Sequence, residues 1–155
     1  MIENCPFCNP NIEDTKFCES ENFLAIYNVA PILPGHSLVI PKRHVKSALE
    51  LNDSELCELM IFSRRTVEIL IEAFGAKGFN WTIQDGEDAG QTVPHFHLHL
   101  IPRKQDDLAH PGDWYPKLQK SQEKIIDSDA RPKLSDSEMK QVVKKIRQVA
   151  RKLGM

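Results

Sequence analysis

Histidine and apolar residues alternate in the stretch His95-Phe-His-Leu-His-Leu-Ile101. Alternation with a period of two is typical of a β-strand, so residues 91–101 are predicted to form a strand with His95, His97 and His99 on one face. Successive imidazoles on that face would lie about 7 Å apart. With 6 histidines in 155 residues, three at alternate positions are expected about 0.01 times by chance. The pattern therefore indicates a functional site.

The surrounding sequence predicts a mixed α+β domain. Short apolar and β-branched runs at 23–29, 36–41 and 79–84 predict three further strands, separated by proline and glycine turns or by a helix. Two amphipathic helices are predicted at 52–75 and 134–153, with capping signals of the Asn-x-x-Glu and Ser-x-x-Glu type at their starts. These elements favour a mostly antiparallel sheet with helix on one face and the site on the other.

Length and charge narrow the class of protein. A chain of 155 residues has the size of one domain, so residues 1–155 are predicted to be a single domain. A net charge of -2 gives no global positive field for DNA or RNA, and no apolar run approaches the roughly 20 residues of a membrane span. The first residues, MIENCPFCNP, lack the basic start and apolar core of a signal peptide, so a cytoplasmic location with reduced cysteines is expected.

The alternating histidines favour phosphoryl or nucleotidyl chemistry. Three imidazoles in line do not easily reach one zinc ion, since each nitrogen must approach to about 2.0–2.1 Å. A neutral central imidazole can act as a nucleophile, which makes His97 the candidate, and His99 can donate to phosphate or leaving oxygens. The loop containing Gln91 and Thr92 can supply donors to phosphate, and Gln84 faces the polar side of its strand. The structural alternative is three satisfied histidines on a sheet face.

A second group of candidate ligands begins at Cys5-Pro-Phe-Cys8. The two-residue gap is that of a zinc knuckle, but no second pair with this gap follows, because Cys18 and Cys57 stand alone. His44, after the strand at 36–41, can supply a third ligand. The alternatives are a pair of partly buried thiols and a redox couple, but a redox motif is expected at a strand-to-helix junction and the sequence shows none here.

A longer stretch around the histidines resembles the histidine triad (HIT) superfamily of nucleotide hydrolases and transferases. It runs Gln84-Asp-Gly-Glu-Asp-Ala-Gly-Gln-Thr-Val-Pro-His-Phe-His-Leu-His-Leu-Ile-Pro-Arg-Lys104 and contains the His-φ-His-φ-His-φ-φ signature, where φ is apolar. Its Gln-Asp-Gly, Gly-Gln-Thr and Pro-Arg-Lys segments look like the Fhit branch of dinucleoside polyphosphate hydrolases. Asn28 and Pro34-Gly-His-Ser-Leu-Val-Ile-Pro41 fit the amino-terminal half of the family, so the resemblance covers roughly residues 5–120.

The resemblance implies an α+β HIT fold with a mostly antiparallel five-stranded sheet, two main helices and a homodimer whose sheets join edge to edge. It also implies hydrolysis of a dinucleoside polyphosphate such as diadenosine tri- or tetraphosphate. His97 would attack the α-phosphorus, oriented by the backbone carbonyl of His95, and water would release the nucleotide. His36 would sit behind the catalytic strand. The other implied contacts are His99, Gln84, Gln91 and Thr92 with phosphates, Asn28 with the ribose, and Leu24 and Ile26 with the base.

The resemblance also implies a zinc site. In HIT proteins with an amino-terminal cysteine pair, zinc is held by the pair, a histidine in the place of His44 and the first histidine of the triad. The ligands carried over by position are Cys5, Cys8, His44 and His95, a closed structural site. Fhit itself lacks the pair, so this chain combines a Fhit-like catalytic segment with a zinc-type amino terminus.

Several alternatives remain open from the sequence. A purine nucleoside phosphoramidase of the Hint branch uses the same nucleophile on a P–N bond, a phosphorylase uses phosphate in place of water, and a non-catalytic nucleotide-binding or zinc-stabilised interaction protein has no turnover. Gln84 favours the hydrolase.

Residues 105–133 are predicted to be a mobile loop on the substrate side, where His110, Trp114 and Tyr115 cover a base or simply pack. The basic last helix is interpreted as a solvated face.

Overall fold

The computed structural model describes residues 5–119 and 132–155, which form a five-stranded sheet with the strand order β1-β2-β3-β5-β4. All neighbouring strands pair antiparallel. The strands are β1 (Lys16–Glu19), β2 (Phe23–Tyr27), β3 (Ser37–Pro41), β4 (Gly78–Ile83) and β5 (Leu98–Arg103). The α-helices in these residues are α1 (Asp53–Phe74), α2 (Trp114–Gln119) and α3 (Asp136–Lys152). None of them combines the length and apolar character that crossing a bilayer requires.

Helix α1 begins and ends where the sequence predicts. The side chain of Asn52 accepts the backbone N–H of Glu55, and the Glu55 carboxylate accepts the N–H of Asn52, each at 2.9 Å. This capping box satisfies two donors that the first turn would otherwise leave unpaired. Gly75 ends the helix at φ 63°, a left-handed conformation that glycine adopts without strain. The helix then packs against β2 and β5.

Helix α3 packs against α1 and β1. Its start is a capping box between Ser135 and Glu138. Its buried residues are Met139, Val143, Ile146 and Ala150. On its basic side, Arg147 donates to the backbone carbonyls of Glu13 and Lys16, at 3.2 and 2.6 Å. This cation therefore anchors the amino-terminal segment to the helix.

The two faces of the sheet are covered differently. The main core lies between the sheet and helices α1 and α3, and its largest fully buried members include Phe23, Phe96, Leu98, Leu100 and Ile146. On the opposite face a small cluster lies under the amino-terminal segment. It consists of Leu24, Ile26, Leu38 and Ile40, with Phe7 and Ile12 packed on it. The expectation that helices cover one face and the site occupies the other agrees with this arrangement.

The histidine strand is shorter than predicted. Strand β5 begins at Leu98, and residues 91–97 form turns and extended chain instead. Pro94 has no N–H to donate to a ladder, and the N–H of His95 donates to the carbonyl of Val93, 2.8 Å away, in a tight turn. The prediction of a strand was therefore wrong for residues 91–97. Strand β1 was not predicted, because it is a short, half-polar edge strand with an irregular register.

Within the segment 105–133, the described residues include a turn and a short helix. A turn at Pro111–Asp113 leads into α2, which no sequence signal predicted. His110 is 83% exposed at its side chain, and its backbone N–H donates to the Asp113 carboxylate at 3.0 Å. Residues 120–131 lie outside the described residues. The mobility of this segment and its position on the substrate side stay predictions.

Candidate active site

His97 lies in the extended chain just before β5, and only 5% of it is exposed. Its Nδ1 is 2.7 Å from the backbone carbonyl oxygen of His95. Because a carbonyl oxygen can only accept, Nδ1 carries the proton, and Nε2 of the neutral ring carries the lone pair. This is the tautomer that a nitrogen nucleophile requires.

The tautomer of His99 is determined by His36, which lies behind it. The backbone N–H of Ile32 donates to Nδ1 of His36 at 3.2 Å, and Nε2 of His36 lies 2.9 Å from Nδ1 of His99. Nδ2 of Asn28 lies 3.4 Å from the same Nε2, but the 2.9 Å contact with His99 is the shorter one, so Nε2–H of a neutral His36 donates to His99, whose own proton is then on Nε2. His99 therefore presents a donor beside the lone pair of His97.

The three histidines of the triad do not share one regularly spaced face. The rings of His97 and His99 are 5.0 Å apart, closer than the predicted spacing of about 7 Å, and both line one cavity. The ring of His95 instead lies 4.9 Å from that of His44, in the cysteine cluster. The physical reason is that residues 95–97 lie outside the sheet ladder, so the strand repeat does not fix their rings.

A cavity of about 300 Å³ lies over the sheet face that carries His97 and His99. Its apolar walls come from the amino-terminal segment on one side and from the strands on the other. The lining is Pro6, Phe7, Asn9, Asn11, Ile12, Thr15, Ile26, Tyr27, Asn28, Val29, Leu38, Thr92, Val93, His97 and His99. This lining contains no carboxylate, lysine or arginine from the described chain. Apolar walls with a few amides, hydroxyls and imidazoles suit a nucleoside carrying a phosphate.

The predicted substrate contacts divide into residues that line this cavity and residues that do not. Asn28, Ile26 and Thr92 line it together with His99. Leu24 does not, because it lies further along β2, opposite Ile40, within the small cluster. His36, which the resemblance placed behind the catalytic strand, is fully buried behind His99 and does not line the cavity either.

The two glutamines have different roles in the structure. The amide nitrogen of Gln84 donates to the hydroxyl of Thr82 at 2.9 Å, while its buried Oε1 has no hydrogen-bond partner among residues 5–119 and 132–155. Gln91 bridges two loops, since its Oε1 accepts the N–H of Gly86 and its Nε2 donates to the carbonyl of Lys46, both at 2.8 Å. Neither glutamine lines the cavity.

Four donor atoms of Cys5, Cys8, His44 and His95 lie within 4.8 Å of one another. Nδ1 of His95 is 3.4 Å from Sγ of Cys5 and 3.6 Å from Sγ of Cys8, and Nδ1 of His44 is 3.4 Å from Sγ of Cys8. A tetrahedral site with Zn–S of about 2.3 Å and Zn–N of about 2.0–2.1 Å requires S–N separations of about 3.6 Å. The residues therefore fit a tetrahedral metal ion.

The surroundings of this cluster support metal binding. Nε2 of His95 donates to the carbonyl of Pro41 at 3.0 Å, which leaves Nδ1 unprotonated for a metal. Burial lowers the pKa of His95 to about 4, so the ring is neutral near pH 7. Burial, with Cys5 nearby, raises the pKa of Cys8 to about 11, so a cation is needed to hold this sulfur as a thiolate.

Sequence reasoning missed the amino-terminal wall of the cavity. Phe7 lies between the two cysteines, with its ring centre 5.6 Å from that of His95 and 5.4 Å from that of His97. Ile12 continues the wall and packs on the small cluster. The available signal was the position of Phe7 between the two candidate metal ligands Cys5 and Cys8.

Comparison with known proteins identifies the family. The sequence matches the HIT domain family over residues 9–106, and the chain belongs to that family. It is 46% identical over 98 residues to an asymmetrical bis(5′-nucleosyl)-tetraphosphatase of Schizosaccharomyces pombe, which covers 63% of this chain and 54% of that protein. It is 39% identical over 107 residues to a bis(5′-adenosyl)-triphosphatase of Dictyostelium discoideum, covering 69% of this chain and 72% of that protein. The aligned part of the chain thus spans about half the length of the first relative.

A solved structure extends the likeness to nearly the whole chain. The zinc-bound histidine triad family protein of Mycobacterium smegmatis aligns with a TM-score of 0.73 and 26% identity, covering 97% of this chain and 96% of that one. The expected HIT fold, with its five-stranded antiparallel sheet, is therefore confirmed.

Proposed function

We propose that this protein hydrolyses dinucleoside polyphosphates of the diadenosine tri- or tetraphosphate type, with His97 as the nucleophile. The observation that carries the proposal is the 2.7 Å bond from Nδ1 of His97 to the carbonyl of His95, which puts the lone pair on Nε2 beside a cavity of nucleotide size. The names of the two relatives, a tetraphosphatase and a triphosphatase, support the substrate class.

The reaction takes place in two displacements. Nε2 of His97 attacks the α-phosphorus, the N–P bond forms, and the P–O bond to the remaining polyphosphate breaks. The Nε2–H of His99 donates to the phosphoryl or leaving oxygen as negative charge develops there. Water then attacks the same phosphorus, the N–P bond breaks and a nucleoside monophosphate leaves, while a proton of that water passes to solvent and His97 recovers its neutral form.

The remaining predicted contacts have specific roles in this proposal. Ile26 and the apolar walls hold the base, and Asn28 holds the ribose. The Thr92 hydroxyl holds a phosphate oxygen in the cavity, and the second amide N–H of Gln84, outside the cavity lining, donates to the phosphate chain where it leaves the cavity. Gln91 supports the loop that presents Thr92, and its second amide N–H remains for phosphate. Because the lining carries no acidic side chain, no lining group repels the polyphosphate.

We propose zinc as the metal of the cluster formed by Cys5, Cys8, His44 and His95. Two sulfur and two imidazole donors at tetrahedral spacing are the donor set that zinc prefers. Four protein donors leave no position for substrate, so the ion supplies a structural cross-link. The likeness to a zinc-bound relative supports this assignment. Reduced thiolate ligands are consistent with a cytoplasmic location, which we propose as well.

A homodimer completes the proposal. Strand β4 is at one edge of the sheet, so its outer backbone groups can pair with a second copy. Phe79 and Ile83 on this strand are 43% and 41% exposed. Pairing of two β4 strands would join the sheets edge to edge and cover these side chains.

The decisive experiment compares two substrates side by side. Purified protein is incubated with a diadenosine polyphosphate and with an adenosine phosphoramidate, and the products are quantified by chromatography. We expect the higher kcat/KM on the polyphosphate, with adenosine monophosphate as one product. Equal or greater rates on the phosphoramidate would overturn the substrate assignment in favour of a phosphoramidase.

His97→Ala tests the nucleophile in the same assay. Turnover is expected to be abolished while the thermal unfolding transition stays close to that of the unchanged protein. Leu49→Ala is the control, because this side chain is 94% exposed and does not line the cavity. Full activity of His97→Ala would refute the mechanism.

A further inference from the structure

The amino-terminal segment, residues 5–15, covers the cavity without joining the sheet by a strand ladder. It consists of two turns, Pro6–Cys8 and Pro10–Asp14. The backbone N–H groups of Cys8, Asn11 and Ile12 donate inside the segment, to the carbonyl of Cys5, the side-chain oxygen of Asn9 and the carbonyl of Asn9. One backbone bond, from the N–H of Tyr27 to the carbonyl of Thr15 at 2.9 Å, joins the end of the segment to β2. Before Thr15, side chains determine how firmly the described residues of the segment are docked.

Three groups of side chains dock the segment. Arg147 of α3 binds the carbonyl of Glu13 at the end of the segment that leads into β1. Phe7 and Ile12 pack on the small apolar cluster of β2 and β3. At the other end, the sulfur atoms of Cys5 and Cys8 meet His44 and His95. The bond from Nε2 of His95 to the carbonyl of Pro41 fixes that ring on β3. A metal bound by all four donors would therefore link the segment to the sheet.

Phe7 connects the cluster of metal-binding side chains to the cavity. It lies between the two cysteines, its ring meets the edges of both His95 and His97, and it forms part of the cavity wall. A segment released from the metal would shift this ring. The cavity would then lose one wall, and His97 would lose a packing neighbour.

We propose that metal binding at the cluster and nucleotide binding in the cavity are thermodynamically coupled through Phe7. The inference rests on the proposed function, because it takes the cavity to be a nucleotide site. With metal bound, the segment is docked and the cavity has both walls. Without metal, the segment is held by the apolar contacts, Arg147 and the bond from Tyr27 to Thr15, and it loses its link through the cysteines, so the docked population falls and nucleotide binds more weakly. Linkage requires that nucleotide strengthen metal binding by the same factor, which we expect to be about tenfold.

Two binding measurements test the coupling. Adenosine monophosphate is titrated calorimetrically into the metal-loaded protein and into protein freed of metal by a chelator, at one pH. Zinc affinity is then measured by chelator competition with and without saturating adenosine monophosphate. The two fold-changes are expected to agree. Cys57→Ser, at an exposed cysteine outside the cluster, is the matched control and should show the same coupling as the unchanged protein.

The outcomes separate failure of the coupling from failure of the proposed function. If adenosine monophosphate binds no form of the protein, the proposed function is wrong. If it binds the metal-loaded and metal-free forms equally, the function stands and the coupling is wrong. Far-UV circular dichroism of the metal-free protein shows whether its sheet persists.

Variants of Phe7 in the metal-loaded protein test the contribution of this side chain to nucleotide affinity. This test does not require the metal-free chain to remain folded. Phe7→Ala is expected to retain one metal ion per chain while the affinity for adenosine monophosphate falls about tenfold. Phe7→Leu, which keeps an apolar wall, should restore most of that affinity. Phe7→Ala with unchanged nucleotide affinity would overturn the proposal.

Discussion

Nε2 of His36 lies 2.9 Å from Nδ1 of His99, and the opposite nitrogen of His36 accepts the backbone N–H of Ile32. The Ile32 amide can only donate, so Nδ1 of a neutral His36 accepts and its proton is on Nε2, which lies closer to His99 than to Nδ2 of Asn28 at 3.4 Å. The loop at Ile32 therefore determines that His99 turns a donor toward the cavity. His36 does not line the cavity but positions the proton of a residue that does.

His36→Leu is predicted to reduce kcat by about 10² or more, because His99 loses the partner that keeps its proton on Nε2. His36→Gln, which retains a donor, should lose less. The effect should be greater with an adenosine phosphoramidate than with a dinucleoside polyphosphate, since an amine leaves only after gaining a proton. Steady-state kinetics on both substrates measure this, with thermal unfolding as the check on folding. An equal loss on both substrates in both variants would indicate a purely structural role.

Metal analysis is predicted to find about one zinc ion per chain. Free zinc at 100 times its Kd stabilises the native state by about 2.7 kcal/mol, which for a chain of this size raises Tm by about 5 to 10 °C. Cys8→Ser should lose both the ion and this increment, whereas Cys57→Ser should keep them. A protein purified gently without an ion, whose Tm does not respond to added zinc, would remove the assignment.

The sequence predicted those parts of the fold in which local signals agree with tertiary packing. Asn52 and Gly75 mark the ends of α1 because their side-chain chemistry and backbone freedom act within a single turn. The start of β5 was placed too early because Pro94 and the tight turn at His95 interrupt a pattern that still alternates in sequence. Strand β1 depends on its pairing with β2, which no local signal reveals.

The candidate site likewise contains some features that the sequence predicted and others that depend on tertiary contacts. Cys5, Cys8, His44 and His95 were grouped by family resemblance, and their donor atoms do meet in the structure. The wall formed by Phe7 could not be predicted, because it arises only when the segment is folded back over the sheet. The position of Gln91 between two loops likewise depends on tertiary contacts, namely with Gly86 and Lys46.

A pH-dependent contribution to stability is predicted for Glu55, which joins α1 to the chain before His44. The Arg43 guanidinium binds both carboxylate oxygens at 2.8 Å and, with the N–H of Asn52, lowers the pKa of Glu55 from 4.5 to about 2. A lowered native pKa means that the charged form stabilises the fold above pH 4.5 and that this stabilisation is lost as pH falls toward 2.

Glu55→Gln should therefore lower the free energy of unfolding at pH 7, and the difference from the unchanged protein should shrink between pH 4.5 and 2. Urea unfolding at several pH values measures it. Glu68→Gln, an exposed position on the same helix, should show no comparable trend. A deficit for Glu55→Gln that stays constant across this range would assign the effect to packing instead of charge.

The edge of the sheet leads to a prediction about assembly. Strand β4 has β5 on one side only, and it exposes Phe79 and Ile83. If two β4 strands pair, sedimentation should give twice the chain mass of 17.7 kDa. Phe79→Lys combined with Ile83→Lys should yield single chains, because like charges would face each other across the new strand pair. Leu49→Lys adds a charge at an exposed site away from β4 and should leave the mass unchanged. A double variant that still sediments at twice the chain mass would exclude edge pairing through β4, since it would show that the two copies associate through another surface.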